Sequence, residues 1–319
     1  MNVKKSILLN ISKIIEADKK NIFYLLYYSV IEAILALSIP LASSFIINSV
    51  LAHASISVLV LGSIVVVIFI LTTSLQVVKE YIVEKFQQKI FINTGIKIAQ
   101  MATSIKTSSI DTKENIDRYM NYFFDISAIQ KFFPILLLDG TGLIVKIVVS
   151  LLLLLIFDPL FFALGLFFFM LFLGLLVALG YNGLEYAIKR SDAKHSAIYY
   201  LQNIPYKKES KEAILEEFDG YLSTFISARE KIFRVIIRQL TLTFFMEGLI
   251  FSSFLIAGGH LVINGTIPLG EFVAAEIIVV SITYALKGFM KQLDYIYDMI
   301  EGFYKVEKLS ISLDENKNE

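Results

Sequence analysis

Five ionisable side chains stand inside long apolar stretches: Glu32, Asp139, Lys146, Glu247 and Glu276. An ionised group in hydrocarbon costs several kcal/mol unless water or a partner reaches it, so such residues are rare and mark pathways or packing locks. Asp139 and Lys146 are seven residues apart, which puts them on one helix face about 10 Å apart along its axis. Each is expected to find its partner on another helix. If all five are ionised, four acids and one base sum to −3. The functional reading is a water-filled translocation cavity lined by the five, whose field favours cationic or amphipathic cargo. The structural reading is a set of ion pairs that fixes helix packing, and both can hold together.

Other chemistries find less support. The chain has no cysteine, which removes disulfide frameworks, thiol catalysis and Cys-ligated zinc. His53, His195 and His260 are too far apart for a local metal motif, and no nucleophile–base–orienter set is readable. Net charge is zero, with 29 basic and 29 acidic residues, which argues against a nucleic-acid partner. Glu209, Glu212, Glu216, Glu217 and Asp219 alternate with basic residues and read as a solvated helix face. Phe161, Phe162, Phe167, Phe168, Phe169 and Phe172 surround one apolar stretch and read as lipid-facing and packing surface.

The elements that must hold the five charges are membrane spans. Of the 319 residues, 56% are hydrophobic and 18% charged. That is too apolar for ordinary soluble cores. Six stretches approach the roughly 20 residues needed to cross about 30 Å of hydrocarbon. They cover about 22–50, 56–78, 133–157, 160–179, 240–263 and 267–286. Pro40 predicts a kink in the first. Asp158-Pro159 predicts a tight turn with Pro159 in a first helical position. Asn264-Gly265-Thr266 is a turn signal. The links 79–132 and 180–239 are long and polar yet keep helical stripes, including Ile82, Phe86 and Ile90 in one and Ile214, Phe218 and Leu222 in the other. The second span is therefore expected to run on as one helix from Ile56 to about Thr103, on the order of 70 Å. Residues 1–20 read as an amphipathic helix on the inner membrane surface. Residues 310–319 read as a polar tail.

Charge fixes the expected orientation. Of 29 Lys and Arg residues, five precede the first span, eight lie in the first long link, ten in the second and five after the sixth span starts. The three short links have none. By the positive-inside rule, both termini and both long links are cytoplasmic, in a multi-pass protein of the cytoplasmic membrane.

Six spans with two long helical extensions resemble the transmembrane domain of an ABC exporter of the six-helix type. Several stretches carry the resemblance. Ile39-Pro40 followed by Phe45 to Leu51 is similar to the family's first-span ending, with Asn48 where that ending usually has Asp. Gly258 to Phe272 is similar to the outer turn between spans five and six. Gln202-Asn203-Ile204-Pro205-Tyr206-Lys207-Lys208 resembles the second coupling segment. Ser109-Ile110-Asp111-Thr112-Lys113-Glu114-Asn115 stands where the first would be. Gly302 to Leu309 resembles the exit toward a nucleotide-binding domain.

The resemblance implies an all-α membrane fold over 21–309, a homodimer or heterodimer of six-span chains that exchange cytoplasmic helices, and alternating access. It also implies a separate ATP-binding subunit docking on the coupling segments. No G-x-x-x-x-G-K-[ST] loop occurs in the sequence, so the chain by itself is expected to bind no ATP and not to be an enzyme. An ATP-independent, proton-coupled transporter of the same fold and a non-transporting membrane scaffold stay open as alternatives.

Overall fold

The computed structural model describes residues 19–53, 58–104, 130, 131 and 133–302. These are helical, with no strand among them. The expected surface helix at 1–20 falls outside them but for its last two residues. The polar tail and the segment Ser109, Asp111, Lys113 and Glu114 lie wholly outside.

Six helices are long and apolar enough to cross a membrane, so the chain reads as a multi-pass membrane protein. The first span is broken in two, α1 (Lys19–Ala36) and α2 (Ser38–Leu51). Pro40 has no N–H to give and its ring crowds the carbonyl one turn earlier, which places the break at Leu37. Helix α3 (Val58–Ser104) is continuous for 47 residues and carries Gly95 inside it, close to the length its stripe predicted. A π-helical turn (Phe133–Gly140) leads into α4 (Thr141–Phe157). Asp158 then caps α5 (Pro159–Leu179), its carboxylate accepting from the Leu160 N–H at 2.7 Å with Pro159 at the helix start.

Beyond α5 the chain turns at Asn182, in the left-handed region at φ 68°, into α6 (Gly183–Asn203). A 3-10 turn (Ile204–Tyr206) follows, and then α7 (Lys211–Ile263), 53 residues without a break. At 1.5 Å per residue α7 is about 80 Å long, far more than a bilayer needs. Gly265, at φ 72°, makes the turn into α8 (Leu269–Met290), and helical residues 293–302 follow.

Helix α8 is central, packed on α2, α4 and α7. Its start lies against α2: the Gly270 N–H donates to Asn48 Oδ1 at 2.9 Å, and a Cβ on Gly270 would meet the Ser44 carbonyl at 2.5 Å. Asn48 thus ties the end of the first span to the start of the last. The apolar core nearby stacks Phe161 on Phe254, ring centroids 5.6 Å apart. Phe161, Phe168 and Phe172 are buried and Phe167 is exposed, so the Phe run divides between core and outer surface. Helix α3 is the peripheral span: Val66, Phe69 and Ile70 are all exposed, a face suited to hydrocarbon or protein and not to water.

Candidate functional site

A cavity of about 730 Å³ opens between α1, α3, α8 and the junction of the π-helical turn with α4. Three of the five expected residues meet there: Glu32, Asp139 and Lys146. They are joined by Lys79 and Glu80 from α3, which sequence reasoning had left among the charges of the first long link. Glu32 is held by an ion pair to Lys79 and accepts from Gln76 Nε2 at 2.7 Å. Lys79 is itself buried, with Ser29 Oγ at 3.5 Å. The π-helical turn winds wider than an α-helix, a feature common at functional positions. It delivers Asp139, whose Oδ2 accepts from Gln292 Nε2 at 2.8 Å. Asp139 therefore does find its partner on another element, and that partner is neutral. Lys146 lines the cavity without a hydrogen bond or ion pair among the described residues.

The other two residues are elsewhere. Glu247 on α7 pairs with Lys287 on α8 through both carboxylate oxygens, at 2.9 and 3.2 Å. Lys287, one residue past the sixth apolar stretch, is that partner. Glu276 on α8 has both oxygens buried and without a hydrogen-bond partner among the described residues. It shares a stripe with Phe272 and Val279, both in the apolar core, and it does not reach the cavity. The lining acids are thus Glu32, Glu80 and Asp139 against Lys79 and Lys146, a formal −1 rather than the −3 expected for the five. The reason is geometric: Glu247 is turned to Lys287 across the α7–α8 contact, and Glu276 has its carboxylate buried outside the cavity lining.

At the far end of α6 and α7, Gln202, Asn203, Ile204 and Pro205 form the reversal between the two helices, as the helix-breaking Pro205 predicts. A network stiffens it. The Tyr200 hydroxyl donates to Glu217 at 2.8 Å, and Lys207 Nζ donates to the same carboxylate at 2.7 Å while lying 4.0 Å from the Tyr200 ring centroid. The bond to Glu217 holds Lys207 above the usual lysine range. Burial, with the Glu217 contact, pushes the Tyr200 phenol up. Tyr206, at the turn, is 82% exposed. The acidic run is exposed throughout, as expected for a solvated face, and Glu217 on that face also bonds the tip.

A second cluster lies between α6 and residues 293–302. Buried Arg190 donates to Asp294 at 2.8 Å, pairs with Asp298, and has Glu301 at 3.5 Å. Burial pushes the Asp298 carboxyl above the ordinary range, against the pull of Arg190. The spacing of Asp294, Asp298 and Glu301 marks one helix face, a signal that could have found the cluster; nothing local points to Arg190.

The histidines form no site. His195 is buried, its Nδ1 3.0 Å from the Ser191 carbonyl, and His260 contacts Asn264 at 3.0 Å. Among the described residues no group of three or more His, Asp or Glu is placed to hold a metal ion. No family model matches the chain, and no curated protein matches its sequence.

Proposed function

We propose that the chain is the transmembrane subunit of an ABC-type transporter of the exporter fold, moving cargo across the cytoplasmic membrane by alternating access. The observation that carries this reading is the charged cavity among six membrane-length helices. Polar lining at span depth is costly unless water or cargo fills it, so it is retained for passage. Two very long helices, α3 and α7, project past the spans, and the α6–α7 tip presents a stiff, exposed turn at Gln202–Lys208. On this reading that tip receives a separate ATP-binding subunit, which supplies the ATP. A second six-span chain covers the open side of the cavity and the exposed face of α3. On this reading the tip and both termini face the cytoplasm, and the Lys and Arg distribution supports it.

The test is a photo-crosslinker at Tyr206 in intact membranes, followed by labelling with azido-ATP. A cross-linked ATP-binding chain, lost when Lys207 and Lys208 are reversed to Glu, is the expected result. Transport that persists with no such chain overturns it.

One observation favours a second reading, an ATP-independent proton-coupled transporter. Glu276 is a buried carboxyl with no partner among the described residues, a group most easily accommodated when it carries a proton. Under that reading Glu276→Gln abolishes proton-linked uptake. Under the leading reading transport follows the ATPase and Glu276→Gln leaves its proton dependence unchanged.

A further inference from the structure

We propose that the polar half of α7 packs antiparallel along α3 of a second copy of this same chain, a contact made twice about a two-fold axis. The proposal rests on the transporter reading, which calls for a second six-span chain, and it names that chain. Leu215, Leu222, Ile226, Phe233 and Ile237 lie on α7 before its apolar stretch, and each is 40–58% exposed. At 3.6 residues per turn they fall within about 60° of the helix circumference, in one stripe on the order of 33 Å long. Arg229, Glu230, Lys231, Arg234 and Arg238 are interspersed with them, so hydrocarbon does not cover this stripe. An apolar stripe of that length beyond the bilayer marks a protein contact.

Helix α3 carries a counterpart past its own span: Tyr81, Ile92 and Ile96, exposed by 52–64%. Their spacing is eleven residues and then four. On α7, from Leu222 through Ile226 to Ile237, it is four and then eleven. Reversed order is what an antiparallel pair needs, and α3 leaves the membrane in the direction in which α7 enters it. Depth agrees as well. Lys79 is the first charge of α3 and Arg238 the last before the apolar stretch of α7, so both stand near the same membrane surface. Tyr81, Ile92 and Ile96 are 2, 13 and 17 residues past the one, and Ile237, Ile226 and Leu222 are 1, 12 and 16 before the other. The offset is one residue throughout, about 1.5 Å. In the same register Lys85 comes opposite the Phe233 ring, a cation beside an aromatic face, and Lys89 comes within two residues of Glu230.

Within one chain the two helices are held apart. Val83 and Phe86 of α3 share a core with Met299, Ile232 and Val235 of α7 share another with Leu293 and Tyr297, and residues 293–302 stand between them. A second copy turned about an axis along the membrane normal meets both faces at once. Pairing like helices instead would set Asp219 against Asp219 and Glu230 against Glu230 on α7, or Lys85 against Lys85 on α3, and like charges facing each other are costly.

The chain has no cysteine, so introduced thiols report alone. Two differently tagged full-length copies are co-expressed, one with Ile92→Cys and one with Ile226→Cys, and intact membranes are oxidised with copper phenanthroline. A disulfide joining the two tags is expected. Ile92→Cys with Leu215→Cys, displaced by 11 residues or about 16 Å, should give none. Lys89→Glu should slow the 92–226 cross-link about threefold, the worth of one exposed pair, and adding Glu230→Lys should restore it, which a misfolded variant would not allow. The proposal is overturned if the disulfide forms only when both cysteines are on one copy, if position 226 links to position 226 faster than to 92, or if 226 links to a chain of different mass. The assay uses neither ATP nor cargo. A Tyr206 cross-link to an ATP-binding chain without the 92–226 product removes the self-pairing and leaves the subunit role; the product without that chain and without transport does the reverse.

Discussion

Arg190 and Lys146 are both cations set among packed helices with acids near them, and the fold completes one and leaves the other open. Arg190 is enclosed by Asp294, Asp298 and Glu301, all on residues 293–302. Lys146 faces a cavity lined by Glu32, Glu80 and Asp139 and makes no ion pair among the described residues, while Lys79 in the same lining is paired with Glu32. The first arrangement holds α6 against residues 293–302. In the second, the Lys79–Glu32 pair joins α3 to α1 and Lys146 adds no bond among the described residues. A paired charge is part of the scaffold, and one beside open volume stays within reach of water or cargo.

The largest break in this contrast comes from Arg190→Met. It strands three carboxylates, one of them buried, and should cost about 3 kcal/mol, the low end for a broken buried pair because Asp294 and Asp298 are partly exposed. Thermal unfolding in detergent, followed by circular dichroism, should show a clearly lowered midpoint, partly restored by adding Asp294→Asn and Asp298→Asn. An unchanged midpoint would mean that Arg190 is not a scaffold charge.

Lys79→Met removes the buried partner of Glu32. Its cost should be smaller, about 2 kcal/mol, because Lys146 remains to act on that carboxylate. Glu247→Gln breaks a pair in which both side chains are about a third exposed, so the loss should stay below about 1 kcal/mol. Midpoint shifts in the same assay rank the two.

Lys146→Met sharpens the comparison most. With no hydrogen bond or ion pair to lose among the described residues, it should move stability by no more than about 0.5 kcal/mol in either direction. In the Lys79→Met background the same change should become costly, since Lys146 is then the remaining cation beside Glu32. A double-mutant cycle over Lys79 and Lys146 reads that coupling directly. Additive costs would show that the two lysines do not share Glu32.

The smallest effect is at the α6–α7 tip. Glu217 raises Lys207 in the folded protein above its ordinary 10.5. The contribution of that pair is therefore fully present below the unfolded value near 10.5 and fades as pH rises through the still higher folded value. Alkaline titration of amide-exchange protection at residues 199–206 should show this loss in the wild type and not in Lys207→Met.

The helices and their ends were legible because their causes are local. A span must satisfy every backbone group within itself, so its apolar length is written in consecutive residues. Pro40, Asp158-Pro159 and Gly265 act within one turn, and each interruption falls where these residues predict. The long run of α3 followed its stripe past Gly95. The site was legible in residue type and not in grouping. Glu32, Asp139 and Lys146 share a cavity, while Glu247 and Glu276 look the same in sequence and go elsewhere.

The sequence by itself determined that this chain is helical, that six of its helices can cross a membrane, and which few charged residues sit inside them. Tertiary structure alone decided the partner of each charge. Glu32 meets Lys79 across 47 residues, Glu247 meets Lys287 across 40, and Arg190 meets Asp294 across 104. Such partnerships depend on the rotation of each helix about its axis, which the packing of side chains along a whole interface sets. A rotation of one residue, about 100°, would carry Lys146 out of the cavity while leaving every local signal in the sequence unchanged.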